Sequence, residues 1–101
     1  MAISVVLKNR AGEVLARMPR PYIPLVSWAD RTEYPILGHV DLYGNTIYNR
    51  GQMETLVAEL DRRRRLFGEA DESARAIADW LQEVCAEGVR KPHRYLWFVG
   101  D

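Results

Sequence analysis

Near its C-terminal end the chain reads RYLWFVGD (Arg94 to Asp101), with five consecutive large apolar residues from Tyr95 to Val99. A run this short cannot make a stable helix by itself, and it lacks the polar alternation of a strand with one wet face. It suits a strand covered on both faces, which is normally central in a sheet. The rest of the chain must therefore supply neighbouring strands and something to pack on them. At 101 residues the expectation is a single domain, burying roughly two thirds of its unfolded surface and needing neither metal nor disulfide.

Candidates for those neighbours come early. Ile3 to Leu7 is β-branched and apolar, and EVLARM follows after KNRAG, so two runs joined by a turn at Gly12 read as a hairpin. Pro19 to Pro24 holds three prolines, PRPYIP, and is expected to be an extended surface connection. LVSWADRTEYP then reads as a short strand or as a loop anchored by Trp28. Across HVDLYGNTIY a type II′ turn at Gly44-Asn45 predicts a second hairpin. Its period of two would place Val40, Leu42 and Ile47 on one face, and His39, Asp41, Tyr43, Thr46 and Tyr48 on the other.

Two helices are expected next. Met53, Leu56, Val57 and Leu60 recur at helical spacing, and Asn49 with Gln52 three residues on forms a capping box. Tyr48 and Met53 are placed for the accompanying hydrophobic staple. This helix should end near Gly68. The second, capped by Asp71 or Ser73, carries an apolar stripe of Ala74, Ile77, Ala78, Leu81, Val84 and Cys85, bordered by Trp80, with Gly88 as its C′ residue. The fold expected is α+β: a small, mostly antiparallel sheet, made of two hairpins and a buried C-terminal strand, packed against two helices.

The stretch GHVDLYGNTIYNRGQ is dense in polar groups, but turn, strand and cap chemistry account for it. His39 and Asp41 share a strand face without any serine or cysteine nucleophile placed beside them, so a surface pair is expected and not a catalytic one. Two histidines and one cysteine cannot build the usual zinc sites, and no metal or cofactor is expected. Cys85 falls within the helical stripe and reads as a buried thiol. The VVLKNRAGEVLA hairpin is similar to the first hairpin of nudix hydrolases, but their acidic metal box is absent.

Fourteen basic residues balance fourteen acidic ones, which argues against a nucleic-acid or membrane-surface binder. Arg62 to Arg65 spread around a helix and lack interleaved aromatics, so they read as a solvated helix end. Between Gly68 and Glu87, six carboxylates face a single Arg75. No run is long enough for a membrane helix, and one cysteine fits a reducing compartment, so a cytoplasmic protein is expected.

YPILGHVDLYGNTIYNRGQMETLVAEL followed by YLWFVGD resembles a broad bacterial family of small proteins. The resemblance lies in Tyr34-Pro35, Leu37, Asp41, Tyr43-Gly44, Thr46, Asn49, Gln52, Leu56 and Glu59-Leu60, about a third of the chain. Some of that family look like immunity proteins of contact-dependent growth inhibition, which bind and neutralise a secreted toxin domain, often a nuclease. The resemblance thus implies a non-enzymatic toxin inhibitor that occludes an active site. Its partner-binding residues would be Asp41, Tyr43, Glu69, Asp71, Glu72, Asp79 and Glu83. A small structural or interaction subunit of a cytoplasmic assembly, with no toxin partner, is the alternative.

Overall fold

A computed structural model describes residues 3–19, 31–67 and 72–100. The elements are β1 (Ser4–Asn9), β2 (Val14–Arg17), a 3-10 turn (Leu37–His39), β3 (Asn45–Tyr48), α1 (Arg50–Phe67), α2 (Glu72–Val89) and β4 (Arg94–Val99). The four strands form one antiparallel sheet in the order β2-β1-β4-β3, with α1 and α2 packed against it and each other. The α+β class expected from the sequence is the class observed, and the apolar run Tyr95–Val99 is central, but it is not buried on both faces: Leu96 and Phe98 are buried, and Tyr95, Trp97 and Val99 are half-buried.

β4 pairs with β1 on one side (Val6 opposite Trp97, Lys8 opposite Tyr95) and with β3 on the other (Ile47 opposite Trp97, Tyr48 opposite Leu96). Alternation then sorts its side chains. Leu96 and Phe98 point inward with Val5, Leu7 and Tyr48, and join Met53, Leu56, Leu60, Ala78, Leu81, Val84 and Cys85 in one core. Each fully buried leucine there contributes about 1.5–3 kcal/mol. The outer face carries the row Val6, Trp97 and Ile47, with the Lys8 ammonium 4.3 Å from the Trp97 ring centre. The first hairpin forms as expected, its turn closed by Gly12 at φ 88° and by Asn9, whose side chain accepts from the Glu13 N–H at 3.0 Å.

The second predicted hairpin does not form. β3 takes β4 as its partner, and residues 41–44 are a turn beyond the sheet's end. The predicted faces change accordingly: Ile47 lies outside and is 48 % exposed, while Tyr48 is 4 % exposed and stacks edge-on against Phe98. Gly88 is also corrected. The helix runs on to Val89, and a Cβ at position 88 would lie 2.6 Å from Met53 Sδ and 3.2 Å from Leu7. Glycine there lets α2 approach α1 and β1 closely; it does not end the helix. The connection across residues 20–30, and Asp71 as a cap, lie outside the described residues.

Candidate functional site

The polar stretch can be accounted for bond by bond. Asp41 Oδ1 accepts the Tyr43 N–H at 2.8 Å, and the Asp41 N–H donates to the Thr46 hydroxyl at 2.8 Å. These side chains satisfy the turn's own backbone, the competition that short polar residues offer to a regular ladder. The turn is clamped to the end of β4 by the Gly100 N–H, which donates to the Gly44 carbonyl at 2.8 Å. A Cβ on Gly100 would come within 2.5 Å of the Leu42 carbonyl oxygen, so that approach requires glycine. Asn49 and Gln52 exchange reciprocal side chain to backbone bonds at 2.9 Å each, completing the predicted capping box.

His39 and Asp41 make no pair. The imidazole Nδ1 faces the Pro35 carbonyl, and the carboxylate is occupied by Tyr43. What the turn leaves outward is the Tyr43 side chain, 70 % exposed, while Ile47, on the outer face of β3, is 48 % exposed.

Beneath this stretch lies a group that simple patterning overlooks. Glu59 is only 2 % exposed, and its Oε1 accepts from the Leu37 N–H at 2.8 Å while both oxygens receive the Ile36 N–H at 3.0 and 3.1 Å. The Tyr48 hydroxyl donates to the Ile36 carbonyl, and Arg62 donates to the Glu33 carbonyl. Together they fasten residues 33–37 onto α1 and the end of β3. Burial, with a smaller contribution from the nearby Glu59 charge, pushes the Tyr48 phenol from its usual 10.0 to about 12. Spacing holds the clue to Glu59: it lies three residues after Leu56 and beside Leu60, on the buried face.

The arginine block also has work within the fold. Arg62 and Arg63 lie 5.2 and 5.5 Å from the centre of the buried Tyr34 ring, Arg64 pairs with Asp79 at 3.1 Å, and Arg65 with Asp61 at 2.8 Å.

Of the predicted acidic residues, Glu69 and Asp71 lie outside the described residues. Glu72 and Glu83 are exposed, and Asp79 is shared with Arg64. The C-terminal end of α2 meets the start of β4 through Glu87, whose carbonyl accepts from Arg94 at 2.7 Å. Topology therefore directs the N-terminal turn of α2, with Glu72, towards the other end of β4, where Asp41 and Tyr43 lie. Cys85 is fully buried, and burial pushes its thiol from 9.0 to about 12, far from a thiolate nucleophile at neutral pH. Among the described residues no cluster of three His, Cys, Asp or Glu could hold a metal ion, and no helix is long and apolar enough to cross a membrane.

No family model matches the chain, and no curated protein or solved structure is significantly similar to it.

Proposed function

We propose that the chain is a non-catalytic, immunity-type protein that covers the active site of a nucleic-acid-cleaving toxin domain. The observation that carries this reading is the exposed Tyr43 on a turn that Asp41 and Thr46 tie to its own backbone. A tyrosine held out on a rigid turn loses little freedom on binding and is a favoured interface anchor. Ile47 supplies further exposed apolar surface, and Asp41, Glu72 and Glu83 supply negative charge suited to a basic, phosphate-binding partner. The partner class is what the resemblance of the Tyr34-Pro35 to Glu59-Leu60 pattern to immunity-type proteins implies.

The test is co-expression with the products of the flanking genes. A stable complex that protects cells from the partner's toxicity is expected, and Tyr43→Ala should weaken it by about 2 kcal/mol or more. Binding without protection would favour the assembly-subunit reading instead. Failure of every neighbour to bind would overturn the proposal.

A further inference from the structure

At the opposite end of β4 from Tyr43, the β1–β2 turn and the α2–β4 turn meet around a cleft of about 350 Å³ lined by Asn9, Arg10, Leu15, Lys91, His93 and Arg94, with Ala11 and Pro92. We infer that this cleft is a binding site for a small organic phosphate, with Arg10 and Lys91 as the cations that engage the phosphate group.

Three observations converge there. First, the charge is one-sided. Residues 8–13 and 87–94 carry Lys8, Arg10, Arg90, Lys91 and Arg94 against only Glu13 and Glu87, in a chain with no net charge. Second, the cations are unequally served. Glu87 takes Arg90 at 3.0 Å and Arg94 at 3.5 Å, and Lys8 sits over Trp97. Among the described residues Arg10 and Lys91 have no carboxylate partner. Third, the backbone is shaped for the cleft. His93 has φ 61°, the single non-glycine residue with positive φ among those described. A positive φ is uncommon outside glycine, although histidine is among the residues that adopt it more readily, and it shapes the turn that sets Pro92 and His93 along the cleft.

The walls set the ligand class. Leu15, 41 % exposed, and Pro92 give an apolar side, and the Arg94 guanidinium is held in place by the Glu87 carbonyl. The volume lies at the small end of ligand pockets. It accommodates a phosphate with a modest organic group. A nucleic-acid backbone would need an extended basic track, and the acidic α2 offers none.

Backbone amide shifts, followed by NMR at constant ionic strength, test this directly. Inorganic phosphate, acetate, ribose 5-phosphate and a short single-stranded oligonucleotide are titrated separately. Saturable shifts confined to residues 9–12 and 90–94 are expected with phosphate, and tighter ones with ribose 5-phosphate. Both Arg10→Gln and Lys91→Gln should weaken binding about tenfold, as the loss of a charge-assisted contact implies. Neither side chain supports the core, so the variants should keep the wild-type spectrum elsewhere. Equal response to acetate, stronger response to the oligonucleotide, shifts spread over other basic surfaces, or indifference to both variants would overturn the assignment. The toxin-binding reading stands or falls separately, because Tyr43 lies at the other end of the sheet.

Discussion

The two ends of β4 carry similar densities of polar residues and treat them in opposite ways. At the Val99–Gly100 end, Asp41 and Thr46 bond to backbone of their own turn, and the Tyr43 side chain is left outward. At the Arg94 end, five cations share two acidic neighbours, and Arg10 and Lys91 face a cleft. Polar density is therefore a poor guide to a binding site. The useful measure is how much hydrogen-bonding and charge capacity remains after the fold has been satisfied.

The contrast can be broken most forcefully with alkali. Tyr48 and Cys85 hold their protons more tightly folded, each at about 12, than unfolded, at 10.0 and 9.0. Their contribution is intact below the unfolded values and disappears as pH rises through the folded ones. The loss is on the order of 5 kcal/mol, comparable with the stability of a small domain. Urea unfolding followed by tryptophan fluorescence should show stability falling from about pH 9 upward. Equal midpoints at pH 8 and pH 11 would contradict this.

Glu59→Ala comes next. It orphans the buried Ile36 and Leu37 N–H groups and empties packed space, at a cost of about 3 kcal/mol in urea unfolding. A Gln at the same position retains one acceptor and should recover part of it. Asn49→Ala removes the helix cap and should cost about 1 kcal/mol by the same measurement. Lys91→Gln, at the other end, should change stability by less than about 0.5 kcal/mol, because nothing in the fold depends on it. A large loss there would erase the difference between the two ends.

Local chemistry was readable from residue order, and long-range pairing was not. Asn49 and Gln52 announce their cap because both partners lie within one helical turn. The hairpin expected at Gly44-Asn45 failed for two reasons. The Asp41 and Thr46 side chains offer the turn its own bonds, and β3 finds its partner some fifty residues later in β4. Gly88 looked like a helix end because glycine's conformational freedom and its small size leave the same letter in a sequence. Glu59 could have been suspected from its place on an apolar face, but its partners at positions 36 and 37 could not. The cleft was missed for the same reason. Arg10 and Lys91 are 81 residues apart, and the antiparallel pairing of β1 with β4 joins their turns.

The placement of β4 between β1 and β3 has a consequence for how the protein is made. β4 is the last of the four strands to leave the ribosome, yet it is the one that both earlier parts must bond to. While Arg94–Val99 is still in the exit tunnel, the nascent chain consists of a first hairpin and an unattached β3–helix segment with no shared sheet. The shared sheet must then wait until β4 has emerged, and a stop a few codons before Arg94 would leave the first hairpin and β3 without the strand that joins them.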